Sequence, residues 1–222
     1  MKIADFKKLN LLLGWLCFLI SFIVYYLTAE PTVGFWDTGE YITTSAKLQV
    51  GHPPGAPLYQ MLGAIFSGFA LDKENIGFTM NLMSGFASAL TISFMYWSIV
   101  LILNKVILDK LKADVLSQKR KLQISGAAVI GSLSFTFTDT FWFSAVETEV
   151  YAMATLIMAI LFYLGLRWET SRTFARRSYE MPEPRRNKWL LLICFVIGLS
   201  FGVHFMGLLA IPALVMIYYF KN

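Results

Sequence analysis

"LNLLLGWLCFLISFIVYYL", residues 9–27, is a run of 19 residues without a charge. As a helix it reaches about 28 Å, close to the roughly 30 Å of a bilayer's hydrocarbon core. Lys2, Lys7 and Lys8 precede it, as in a signal peptide. Cleavage needs small residues at the −3 and −1 positions. Leu27 spoils the candidate at Ala29, so the expectation is an uncleaved first helix. The whole chain is 57% hydrophobic and 15% charged, with a mean hydropathy of +0.60. Soluble domains average about 45–50% apolar and about 25% charged, so this composition reads as an integral membrane protein. Cys17 and Cys194 both lie in apolar runs, which argues against a disulfide framework or a cysteine metal site.

Further apolar runs fall at Phe78–Leu103, Leu122–Thr138, Val150–Leu166 and Trp189–Phe220. The last is too long for one upright span. Gly198, Gly202 and Gly207 interrupt it, and Lys188 and Lys221 flank it. Two short helices meeting near His204 fit better than one strongly tilted helix. The reading is an all-α, polytopic transmembrane helical bundle of about six spans. They fall at about 9–28, 78–104, 122–138, 141–166, 189–203 and 205–220. The fourth is entered either near Thr140 or at Val150.

Charge sorts sharply between the runs. The N-terminus, Lys105–Lys121, Arg167–Lys188 and Lys221 together hold 17 of the 19 Lys and Arg. The other connections hold eight of the 14 acids and only Lys47 and Lys73. The positive-inside rule makes the N-terminus and basic loops cytoplasmic. The net charge of +5 is thus a topology signal, and no nucleic-acid partner is expected.

Between the first two runs lies "FWDTGEYITTSAKLQVGHPPGAPLY", residues 35–59. Asp37 and Glu40 are spaced as a capping box, with Asp37 capping a helix of about 38–50 and Glu40 reaching back. Gly51 is the natural residue after that helix and Pro53 the stop. Pro57 opens a second helix, about 57–71. Leu58, Met61, Leu62, Ile65, Phe66 and Phe69 form one apolar face of it. It is too short to span, so both helices are interfacial elements of the first outer loop. A carboxylate fixed at a helix start is also pre-positioned for chemistry. His52 either bonds a backbone carbonyl at the Pro-Pro corner or meets substrate.

A second acidic cluster follows in "FWFSAVETEVYAM", residues 141–153, with Asp139 just before it. Glu147 and Glu149 lie inside the outer leaflet if the fourth helix starts near Thr140, and at the interface if it starts at Val150. Glu147 and Tyr151 are four apart and can face one cavity. His204 lies at similar depth in the last turn. These are candidate binding residues beside solvated-loop, helix-start and packing roles. Asp37, Glu40, His52, Asp139, Glu147, Glu149 and His204 show no tight ligand spacing, so no site metal is expected.

The three stretches 35–59, 141–153 and "GLSFGVHFMGLLAIPAL" at 198–214 together resemble the GT-C superfamily of membrane glycosyltransferases. More narrowly, they resemble a bacterial membrane domain-of-unknown-function family related to the animal transmembrane protein O-mannosyltransferase. The resemblance covers essentially the whole chain, 1–222, as one transmembrane domain and the N-terminal part of a longer GT-C module. It implies a multi-pass protein of a bacterial inner membrane. It implies transfer of mannose or a similar sugar from a polyprenyl-phosphate carrier to a Ser or Thr hydroxyl, or another acceptor such as a glycan. Asp37 maps onto the general base and Glu40 onto a neighbouring acidic position that orients acceptor. His52, Asp139, Glu147, Glu149, Tyr151 and His204 are the expected substrate-binding set. The donor is the lipid-linked sugar, and no cofactor is expected. Buried acids and broken helices also fit a transporter or flippase of a lipid-linked substrate, and a non-catalytic scaffold subunit stays open.

Overall fold

The computed structural model describes residues 3–113, 115–178 and 183–221, so residues 179–182 of the second basic loop lie outside the described residues. The helices are α1 (Ile3–Thr28), α2 (Thr38–Ala46), α3 (Pro57–Ser67), α4 (Ile76–Leu111), α5 (Gln118–Thr136), α6 (Asp139–Val146), α7 (Val150–Ser178), α8 (Glu183–Ser200) and α9 (Ile211–Lys221). A 3-10 helix, Phe205–Ala210, precedes α9. No strand occurs among the described residues, and the fold is an all-α membrane bundle. Three helices are long and apolar enough to cross a membrane: Phe6–Thr28, Ile76–Leu111 and Val150–Ser171. Lys188–Ser200 and Phe205–Phe220 are shorter apolar segments.

Helix α4 is the spine, packing against α1, α5 and α7. Its buried face is rich in small residues, Gly77, Ser84, Gly85, Ala87, Ser88 and Ala89, which let neighbouring backbones approach closely. Helix α1 runs antiparallel to it. Ser93 Oγ donates to Gly14 O at 2.9 Å, and Trp97 Nε1 donates to Asn10 O at 3.2 Å. At the opposite end of α4, Asn81 Nδ2 donates to Glu30 O at 2.7 Å and Thr32 O at 2.9 Å. Lys105 of α4 pairs with Glu169 of α7 at the basic end. The acidic connections and the basic connections therefore sit at opposite ends of the bundle.

The expected span 141–166 is broken. Helix α6 stops at Val146, the chain is extended at Glu147, and α7 begins only at Val150. Two bonds hold the break: Glu30 N–H donates to Val146 O at 3.0 Å, and Thr148 Oγ1 donates to Asn81 Oδ1 at 2.5 Å. Those partners draw the backbone off the helical path, and Glu147 and Glu149 precede the spanning segment. The last apolar stretch breaks between Ser200 and Phe205, with His204 extended there, and does not continue as one tilted helix. Helix α3 ends at Ser67, and the expected face divides. Leu58, Leu62 and Phe66 pack against the core beside the buried Tyr59, Gln60 and Gly63, whereas Met61, Ile65 and Phe69 are exposed. That outward apolar edge suits a helix lying at the membrane surface.

Candidate functional site at the acidic end

Asp37 starts α2 without capping it: its side chain makes no bond to the helix. The capping box is absent because Glu40 has better partners. Its Oε1 accepts from the His52 N–H at 2.6 Å, and its Oε2 lies 3.0 Å from His52 Nδ1. Two bonds from one residue, one backbone and one ring, outweigh a single reach back to the cap. His52 therefore meets a carboxylate rather than a backbone carbonyl. Helix α2 also ends early, at Ala46 instead of Val50. Gln49 N–H donates to Thr44 O and Leu48 N–H to Ser45 O, a Schellman end with Leu48 in the left-handed region at φ 48°. Gly51 thus has another role. A Cβ there would lie 2.9 Å from Gln60 Nε2 and 3.1 Å from Glu40 Oε1, so glycine makes room for the carboxylate that clamps the corner.

The corner is anchored from below. Leu58 and Tyr59 at the start of α3 donate their N–H groups to Gly202 O at 2.7 and 3.1 Å. One carbonyl of the last turn thereby satisfies two orphan donors of the first loop's second helix. The same turn brings in His204, whose Nδ1 accepts from Met206 N–H at 3.1 Å. In the neutral ring the proton then sits on Nε2.

Two cavities open side by side. The smaller, about 90 Å³, is lined by Asp37, Tyr41, His52, Glu149, Tyr151 and His204, among others. The larger, about 900 Å³, is lined by Asp37, Glu149 and Tyr151 again, and by Asp139 and Glu147. Asp37, Glu149 and Tyr151 are thus the wall between them. The sequence candidates converge, with one exception. Glu40 lines neither cavity and acts on the site through His52. Asp139 and Tyr151 are exposed, Glu149 and His204 are half-buried, and Glu147 is 7% exposed. Asp37, Glu40 and His52 also bring one ligand atom each within 4.8 Å of one another. Both oxygens of Glu40 are already engaged by His52 in that group.

The electrostatics follow from burial and crowding. The His52 backbone and ring bonds hold the Glu40 carboxyl below its ordinary range, and Glu40 in turn raises His52. Burial, then the nearby Asp37 and Glu147 charges, push Glu149 up to about 7. Burial also raises Glu147, with Glu30 adding to it. Tyr41 is pushed up to about 12 by burial and then by Glu149, Asp37 and Glu40. A carboxylic acid half-protonated near neutrality beside a second, exposed carboxylate is an arrangement suited to proton transfer.

The profile of the family described as Protein O-mannosyl-transferase TMEM260 N-terminal domain matches residues 37–222, starting at Asp37 and taking in every lining residue of the two cavities except Trp36. The chain belongs to this family. Protein O-mannosyl-transferase tmem260 of Dictyostelium discoideum is 26% identical over 209 residues, covering 93% of this chain and 23% of that protein. Protein O-mannosyl-transferase TMEM260 of Mus musculus is 24% identical over 158 residues, covering 70% of this chain and 19% of that protein. The chain spans under a quarter of the length of these curated relatives. No solved structure matches it.

In this chain, two residues that sequence reasoning passed over complete the site. Asn81 is fully buried on α4 and binds both the 30–32 segment and Thr148, so it registers the two acidic clusters against each other. Its signal was a lone amide in an apolar run. Trp36 lines the large cavity at 88% exposure, with a left-handed backbone at φ 58°. That backbone is costly for a bulky residue.

Proposed function

We propose that this chain carries the active-site end of a glycosyltransferase. It moves mannose or a similar sugar from a polyprenyl-phosphate carrier to a Ser or Thr hydroxyl on the non-cytoplasmic face of the membrane. The family and the names of both relatives support protein O-mannosyl transfer. The observation that carries the reading here is the Asp37 carboxylate. It is exposed, makes no bond to its own helix, and stands between two cavities.

The assignment of parts is chemical. A hydroxyl attacking the anomeric carbon must lose its proton as the C–O bond forms, and Asp37 accepts it. The C–O bond to the phosphate breaks on the opposite face, so the sugar inverts. A lipid phosphate leaves without a general acid, and the reading requires no resident cofactor or metal. The leaving phosphate meets the small cavity, where the His52 and His204 rings can offer N–H donors to it. Glu40 orients the loop by holding His52. The charge sorting supports a cytoplasmic N-terminus and basic loops, with the site on the opposite face. A bacterial cytoplasmic membrane as the location rests only on the sequence resemblance to a bacterial family, since the relatives matched are from Dictyostelium discoideum and Mus musculus.

The test is sugar transfer from a polyprenyl-phosphate donor to a Ser/Thr peptide, beside a direct measurement of donor binding. Asp37→Asn should bind donor normally and lose about 10²–10⁴-fold in transfer. Turnover near that of the parent protein would remove Asp37 as base and move the search to Glu149.

A further inference from the structure

The large cavity has a composition that the transfer chemistry does not need. Four carboxylates line it: Asp37, Asp139, Glu147 and Glu149. No Lys, Arg or His lines it among the described residues. A lipid phosphate is therefore repelled from this space. Glu147 sharpens the point. It is 7% exposed, and its Oε2 has no hydrogen-bond partner among the described residues. The close approach of Gly34 pins it, since a Cβ there would lie 2.8 Å from the Glu147 carboxyl carbon. A buried acceptor without a donor is costly and is satisfied when a donor arrives.

Aromatic faces complete the wall. Trp36, Trp142 and Phe143 line the same space. Trp142 is fixed by its Nε1–H bond to Thr28 Oγ1 at 3.1 Å and by packing on Phe137. Carboxylates with aromatic faces are the composition that recognises an organic cation. The volume, about 900 Å³, suits a peptide segment rather than an ion. The carboxylates are also too dispersed for an ion. The only group of three ligating side chains close enough to share one, among the described residues, is Asp37, Glu40 and His52, and just one of these lines this cavity.

Taking the proposed transferase reading as its basis, we propose that this cavity selects acceptor peptides carrying a Lys or Arg side chain beside the modified hydroxyl. The cation lies among Asp139, Glu147 and the aromatic wall, and the neighbouring hydroxyl then reaches Asp37 at the boundary with the small cavity. An acidic side chain in the same place is rejected by like charge.

The experiment compares three capped Ser/Thr peptides, identical except for Arg, Ala or Glu beside the hydroxyl. Binding to the purified protein in lipid nanodiscs is read by tryptophan fluorescence, without donor. The Arg peptide should bind about tenfold more tightly than the Ala peptide, with the Glu peptide weaker still and the preference shrinking in high salt. Glu147→Gln should abolish most of the preference. Asp139→Asn, an exposed position, supplies the same test should the buried variant not fold. Equal binding of all three peptides, or no binding of any, overturns the proposal. So does displacement of the Arg peptide by stoichiometric magnesium or manganese, which would make the cavity a metal site. Charge-selective binding without sugar transfer would strike the transferase reading and leave the selectivity standing. Transfer without charge selection would do the reverse.

Discussion

Both oxygens of Glu40 accept from His52, whereas Asp37, three residues earlier, keeps its carboxylate out of the helix. The Glu40–His52 pair is a pH-sensitive clasp on the Pro-Pro corner. Glu40 is lowered, so its share of the stabilisation is present above its ordinary range and is lost as pH falls through its depressed value. His52 is raised, so its share is complete below the ordinary histidine range and is lost as pH rises through its elevated value. The clasp is strongest between those limits. Glu40→Gln should lower the His52 titration midpoint, followed by its ring proton resonances, and should loosen amide exchange over 47–56. An unchanged midpoint would mean the pair is not formed in the membrane. Glu149 titrates with the opposite consequence for stability. Asp37, Tyr41 and His52 face it from the first loop, Glu147 lies alongside, and Tyr151 and His204 close the far wall. Its carboxyl sits at about 7 in the fold against 4.5 ordinarily, so the folded protein holds a proton that the unfolded chain has lost. Stability from this group therefore falls as pH rises from about 4.5 to about 7. Glu149→Gln should flatten the pH dependence of Tm in that window. A slope that survives the substitution would assign it to another group.

At the scale of elements, one buried amide ties two loops to the spine. Asn81 makes three hydrogen bonds to Glu30, Thr32 and Thr148. Asn81→Ala should cost about 2–4 kcal/mol, because it deletes packing and leaves buried partners unmet. Amide exchange should quicken around residues 30–32 and 147–149 together, and quickening at one site alone would show that the loops are held independently. The helices themselves were legible in the sequence, because long uncharged runs and charge asymmetry are strong, local signals. The acids and histidines that line the cavities were visible as carboxylates and imidazoles out of place beside apolar runs, whereas Asn81 and Trp36 gave no such signal. The partners of those acids and histidines were not visible. Asp37 and Glu40 have the spacing of a capping box, and only the return of residue 52 to Glu40 decides against it. The start of α7 was ambiguous for the same reason. Residues 139–146 are as apolar as a spanning segment. The break is imposed by Asn81 and Glu30, 50 residues and more away in the chain.

The whole molecule is polarised, with carboxylate-lined cavities at one end and Lys105–Glu169 with the basic connections at the other. Cysteine placed at Lys73, after removal of Cys17 and Cys194, should react with an impermeant reagent from outside intact cells. Cysteine at Lys112 should react only after permeabilisation. The reverse pattern would turn the protein over and put the cavities on the face opposite to the one proposed above. The Gly202 carbonyl that holds the start of α3 adds an order of events. Its two donors belong to residues 58 and 59, made long before residue 202 leaves the ribosome. The first outer loop must therefore wait while α4 to α8 are made. The small cavity closes last, when the final turn arrives from the insertion machinery. A chain that stops short of residue 202 therefore lacks a wall of that cavity, and nothing that needs the closed cavity can bind it.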